Sequence, residues 1–129
     1  MKIIKKFKTN IEKKKLYEAW TSEELLIPPV IGIECEREVG GKLVLYSEED
    51  GKERKMIGKF KEIIPNEKLV YTSKWDDSDE ETLISVEFNG SSHTELVIEQ
   101  EGFLTPESRD KQAYAWDDYV DELEELLDN

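Results

Sequence analysis

Hydrolytic attack through a serine or cysteine needs a base within hydrogen-bond reach, and histidine is the usual one. The chain has a single histidine, His93, in the polar stretch Asn89-Gly90-Ser91-Ser92-His93. That stretch reads as a solvent-facing hairpin turn, where a base would meet water instead of substrate. Cys35 also stands alone, alternating with Ile33 and Arg37. It reads as a buried structural thiol, since free cysteine packs as a small apolar side chain. One histidine and one cysteine cannot supply the three or four such ligands of the common zinc sites. The run Asp76-Asp77-Ser78-Asp79-Glu80-Glu81 is acidic enough for calcium but lacks the central glycine and the spaced terminal glutamate of an EF-hand loop. It reads as a solvated hairpin tip. No catalytic set, metal site or cofactor is expected.

The side chains left for chemistry are aromatic or polar-tipped. Tyr46, Phe60, Tyr71, Trp75, Phe103, Tyr114, Trp116 and Tyr119 fall where a strand or helix face could point inward. For Phe60 and Trp116 plain core packing is the reading. Tyr71, Trp75 and Tyr119 carry polar ends that need partners once buried, which suits a pocket wall. Arg37 shares the strand phase of Ile31, Ile33 and Cys35. An inward guanidinium needs a carboxylate or a ligand anion, and Glu62 or another nearby acid is the expected partner. The candidate lining of an apolar cavity is therefore Arg37, Tyr46, Met56, Tyr71, Trp75 and Tyr119.

The elements that must position these residues follow from periodicity. Ile3, Ile4 and Phe7 among lysines predict a strand over 2–9. Thr9 or Asn10 can cap a helix with apolar positions Ile11, Leu16, Ala19 and Trp20, and Ser22 a second short helix with Leu25 and Leu26. Pro28-Pro29 must end it. From Val30 to Glu101 the period becomes twofold, with turns at Gly40-Gly41, Asp50-Gly51, Pro65-Asn66, the acidic loop and Asn89-Gly90. Six strands joined so closely must be antiparallel neighbours. Thr105 and Pro106 open a helix to about residue 127, with Trp116, Tyr119, Val120, Leu123, Leu126 and Leu127 on one stripe. The class is α+β.

The chain has 129 residues, with 18 basic against 31 acidic side chains and a net charge of −13. That length suits one domain over 1–129 with one core. The field repels phosphate backbones and anionic headgroups, so neither nucleic acid nor a membrane surface is an expected partner. No apolar run approaches the roughly 18 residues of a membrane span, and the lysine-rich start is unlike a signal peptide, so the expected location is the cytoplasm. Residues 76–129 carry eighteen acids against Arg109 and Lys111. This acidic end is a solvated surface or a site for a basic protein partner. Lys13, Lys14 and Lys15 are expected to face Glu124, Glu125 or Asp128 and partly offset it.

Several stretches resemble one family. They are Leu16-Tyr17-Glu18-Ala19-Trp20-Thr21-Ser22-Glu23-Glu24-Leu25-Leu26, Val39-Gly40-Gly41-Lys42-Leu43, and Gly58-Lys59-Phe60 through Ile63-Ile64-Pro65-Asn66 to Tyr71-Thr72. Trp75 before an acidic loop, Thr82 to Val86, Thr94-Glu95-Leu96, and the helix with Trp116, Val120, Leu123 and Leu127 complete the set. Together they resemble the family named for homologues of the activator of Hsp90 ATPase, within the START/Bet v 1-like (helix-grip, SRPBCC) superfamily. The resemblance implies a curved antiparallel sheet of about seven strands around the long C-terminal helix, with two short helices after the first strand. It also implies non-catalytic binding of an apolar or aromatic small molecule, lipid-like or polyketide-like, between sheet and helix. A co-chaperone-like or other protein-interaction domain is the alternative. A cyclase- or hydrolase-type enzyme using the same cavity is the third reading.

Overall fold

A computed structural model describes residues 1–91 and 93–128; Ser92 of the last hairpin turn and Asn129 lie outside the described residues. The order is β1 (Lys2–Thr9), α1 (Lys13–Ala19), β2 (Val30–Cys35), β3 (Lys42–Glu49), β4 (Lys52–Ile64), β5 (Lys68–Trp75), β6 (Glu81–Asn89), β7 (Thr94–Glu101) and α2 (Pro106–Leu127). All seven strands form one antiparallel sheet in the order β1-β7-β6-β5-β4-β3-β2. Six strands are consecutive hairpin neighbours, as their short turns require. β1 returns to the far edge and pairs with β7 along its whole length, from Lys2 opposite Glu101 to Thr9 opposite Thr94.

Turn chemistry sets the registers. Asp50 and Gly51 have φ of 53° and 77°, the two positive values that a tight hairpin needs between twisted strands. A Cβ on Gly41 would lie 2.0 Å from the Glu36 carbonyl oxygen, so only glycine fits there. The Gly41 carbonyl then accepts from the Phe60 amide, and the Phe60 carbonyl from the Gly40 amide.

One face of the sheet carries the core. Phe60, Leu69, Tyr71, Ile84, Val86, Phe88, Leu96 and Ile98 are buried with Trp116, Val120 and Leu123 of α2 and with Leu16, Tyr17 and Trp20 around α1. The α2 boundary is as its signals require. The Thr105 hydroxyl accepts from the Ser108 amide, Pro106 opens the helix and Glu107 lies in its first turn. The acidic loop contributes to this start: Glu80 accepts from the Leu104 amide and from the Ser108 hydroxyl.

Four local expectations are corrected. α1 begins at Lys13 behind Glu12, without a side-chain cap, because Thr9 is a strand residue whose hydroxyl accepts from the Ile11 amide. There is one short helix and not two. The Ser22 hydroxyl accepts from the Glu24 amide two residues on, and the chain turns through Leu25 and Leu26 to the prolines. Ile31 does not share the inward phase of Ile33. A bulge between Val30 and Gly32 turns it out, 53% exposed. The fourth concerns the lysines. Lys15 donates to the Leu127 carbonyl at the C-terminus of α2, and Lys13 to Glu67. Among the described residues, none of Lys13, Lys14 and Lys15 forms an ion pair with Glu124, Glu125 or Asp128. A lysine on a terminal carbonyl still complements the helix dipole.

Two predictions follow from this packing. Trp116 is 7% exposed, so Trp116→Ala should cost about 3–5 kcal/mol in a denaturant titration. Partial burial, Asp121 and Asp128 together raise the Glu124 carboxyl above its ordinary value. A raised carboxyl opposes folding while ionised, and the penalty fades as pH falls through the folded value. Glu124→Gln should therefore raise the melting temperature at pH 7, by the equivalent of about 0.2–0.5 kcal/mol for each like-charge contact removed. The gain should vanish below pH 4, where the carboxyl is protonated in both states.

Candidate functional site

The inner face of the sheet is not covered evenly. α2 runs alongside β1, and α1 sits against β6. Under the helices, Trp20 is fully buried. Its ring stacks on Trp116 at 5.8 Å and 18°, and meets Phe88 and Tyr119 edge-on at 5.9 and 4.9 Å. Towards β2, β3 and β5 the same face holds Ile33, Cys35, Leu45 and Trp75, which pack on the core yet stay half-exposed. Register explains their common side: Ile33 lies opposite Leu45, Leu45 opposite Met56 and Met56 opposite Trp75. Tyr119 of α2 closes the row. Together they make a partly buried apolar strip beside the helix, with buried Met56, Leu43 and Tyr71 beneath.

The six expected lining residues divide accordingly. Met56, Tyr71, Trp75 and Tyr119 are brought to this face, and Arg37 stands at one end of it. Tyr46 is not. It alternates with Leu45 along β3, so it lies on the outer surface against Gly32. Trp75 marks the opposite end, where Arg54 lies over its ring at 4.4 Å and grips Asp77 through two hydrogen bonds of 2.8 and 2.9 Å. Arg54 holds the Asp77 carboxyl below its usual range, with help from Lys52 against partial desolvation.

Arg37 does not pair with Glu62, which faces Lys68 at 3.2 Å. The reason is direction. Past the end of β2 the side chain reaches back to α1, where Nη1 donates to the Tyr17 carbonyl at 2.7 Å and Nη2 to the Thr21 hydroxyl at 2.9 Å. Its guanidinium also lies 4.9 Å from the Tyr17 ring centre. Thr21 has φ of 54°, rare for a β-branched residue, and its hydroxyl is 3.8 Å from the Cys35 sulfur.

Next to this arginine lie two phenols. The Tyr71 hydroxyl accepts from Trp20 Nε1 at 3.1 Å, and burial pushes its pKa up to about 12. Tyr119 is half-buried. Burial first, and Tyr71 second, raise its phenol well above the ordinary value, against opposing pulls from the Thr21 backbone and Arg37. Both are neutral hydrogen-bond donors at physiological pH. His93 is exposed in its turn, as a base exposed to bulk water would be.

Sequence reasoning missed a second polar row. Trp116 Nε1 donates to Gln100 Oε1 at 2.8 Å, Gln100 Nε2 to the Thr82 hydroxyl at 2.9 Å, and that hydroxyl to the Ser73 carbonyl at 3.5 Å. The signal was a glutamine in the inward phase of Leu96 and Ile98. Open surface hollows lie at the β6–β7 turn beside Asn10, Gly90 and His93, and on the outer face around Ile57, Lys59 and Lys74, the latter reaching Trp75 at its edge.

A seven-stranded antiparallel sheet around a long C-terminal helix defines the Bet v 1-like helix-grip class. Residues 10–128 match the family described as Activator of Hsp90 ATPase homolog 1-like protein, and the chain belongs to that family. No curated protein matches the sequence at a significant level. Among solved structures it is similar to protein MLL2253 from Mesorhizobium loti, at 20% identity and a TM-score of 0.85 over 99% of this chain and 97% of that one. It is similar to Ara h 8.0201 at 15% identity, TM-score 0.76, covering 93% and 91%. An Hsp90 activator from Plasmodium falciparum aligns at 23% identity, TM-score 0.66, covering 80% and 74%.

The phenols give this site a pH signature. A tyrosine whose folded pKa is raised contributes stability below its ordinary value near 10, and that stability is lost as pH climbs towards the folded value. Alkaline titration followed by absorbance at 295 nm and by circular dichroism should show Tyr71 and Tyr119 ionising only with unfolding. Tyr71→Phe should leave the Trp20 N–H without its acceptor, costing about 1–3 kcal/mol at pH 7, and should reduce the loss of stability above pH 10.

Proposed function

We propose that this apolar strip is the floor of a groove beside α2 in which the chain binds an apolar or aromatic small molecule, without catalysing a reaction on it. The observation that carries this reading is the half-exposed row of Ile33, Leu45, Trp75 and Tyr119, drawn from three strands and a helix onto one face. Apolar side chains left half in water gain free energy when a ligand covers them, at about 25 cal/mol per Å² buried. Ligand sites of this kind are mostly apolar with a few fixed polar groups, and here those groups are the phenols and the guanidinium. A panel of fatty alcohols, fatty acids and planar aromatics should raise the melting temperature. Leu45→Trp, which fills the groove, should weaken the best binder at least tenfold while the protein stays folded. Absence of any thermal shift across the panel would sink the reading.

The second reading is contact with a chaperone. Membership of a family named for Hsp90 activation supports it, as does the fold shared with the Plasmodium falciparum Hsp90 activator. The outer face of α2, with Asp118, Asp121, Glu122 and Glu125 exposed, would meet a basic partner. Adding the protein to purified Hsp90 should then raise its ATPase rate in a salt-sensitive manner. Reversing Asp118 and Glu122 to lysine should abolish the effect.

A further inference from the structure

We propose that the molecule held in the groove carries a carboxylate, with Arg37 as its counter-ion and the Tyr71 hydroxyl as a second donor. This rests on the groove reading above and names the chemical class of its ligand. The first support is an accounting of charge. The chain has 31 acidic side chains, yet among the described residues no carboxylate lies within ion-pair distance of Arg37. Arg37 is half-buried. Its protein partners are both neutral, the Tyr17 carbonyl and the Thr21 hydroxyl. The rest of its five N–H donors have no protein partner among the described residues. A cation partly withdrawn from water and lacking a carboxylate partner is held at a cost that an anion offsets.

The second support is the direction of the hydrogen bonds. The Tyr71 oxygen already accepts from Trp20 Nε1, so its own O–H is left to donate. Trp20, whose indole donates to Tyr71, is followed directly by Thr21, which accepts from Arg37, so the phenol and the guanidinium are anchored to consecutive residues. A cation and a neutral phenol donor beside an apolar groove form a receptor for one planar anion. The third support is strain. Thr21 is held in the left-handed region with its hydroxyl against Arg37, and residues kept in sparsely populated conformations gather at ligand clamps.

The test compares a matched pair of probes, 2-naphthoic acid and 2-naphthamide, by isothermal titration calorimetry at pH 7. The overall charge of −13 repels anions, so any preference for the acid must come from a local cation. The acid should bind at least tenfold more tightly than the amide. Arg37→Gln should abolish the preference, bringing the acid-to-amide affinity ratio to about one. Arg37→Lys, which keeps the charge but loses the planar fork, should restore part of the preference. Equal affinities in the unmodified protein would overturn the proposal while leaving the groove reading intact. Acid binding that survives Arg37→Gln would overturn it too. Binding of neither probe, together with a silent thermal panel, would overturn both. Should Arg37→Gln fail to fold, the acid-to-amide ratio in the unmodified protein and in Arg37→Lys decides the matter.

Discussion

A buried indole must find an acceptor for its N–H, and this fold places two indoles face to face. Trp20 follows the short helix and Trp116 lies in the long one, and their rings stack at 5.8 Å. Each then reaches a different strand. Trp20 donates to Tyr71 on β5, and Trp116 to Gln100 on β7. The pair thus ties both helices to the sheet through directional bonds as well as through apolar contact. Helix position, groove width and the placement of the phenols all depend on that clamp.

The clamp matters because α2 cannot hold itself. Its outer surface repeats like charges at four-residue spacing, as in Asp117 and Asp121 or Asp118 and Glu122, and each such pair opposes an isolated helix. Few contacts offset this: Lys5 on Asp117, Lys15 on the terminal carbonyl of Leu127, and Glu80 at the other end. Exposed ion pairs add about 0–1 kcal/mol each, whereas burial of Trp116, Val120 and Leu123 supplies several times that. Docking is the reason the acidic face can exist as a helix at all. It also fixes which side of α2 is left to solvent and which edge of the groove Tyr119 defines.

Much of this was readable from residue order. Twofold alternation and glycine or asparagine turns gave the six consecutive strands, and Thr105-Pro106 marked the start of the last helix to the residue. Two of the local errors share one cause, competition between a side chain and the backbone for the same hydrogen bond. Thr9 and Ser22 were read as helix caps, and both satisfy an amide two residues on in a turn instead. At the site, alternation alone could place Met56, Tyr71 and Trp75 on the inner face. It could not place Tyr46, since the neighbouring Leu45 competes for the same assignment and only pairing with β2 and β4 decides between them. The partners of Arg37 were beyond reach, because a long side chain past a strand end has its direction set by tertiary contacts. Gln100 was legible only as a polar residue out of pattern.

The sheet that carries the groove never closes on itself, so β1 and β2 each present a free edge. Unpaired strand edges invite another chain to add to them, the first step towards aggregation. Each edge carries a different deterrent. Lys6 and Lys8 project from β1 into solvent, so an incoming strand would meet positive charge. On β2 the bulge that expels Ile31 breaks the regular ladder after one pair. That irregularity leaves a large apolar side chain in water, yet it also spoils the template on which a second molecule would align. The exposed isoleucine is thus the visible side of an irregularity that blunts an open edge.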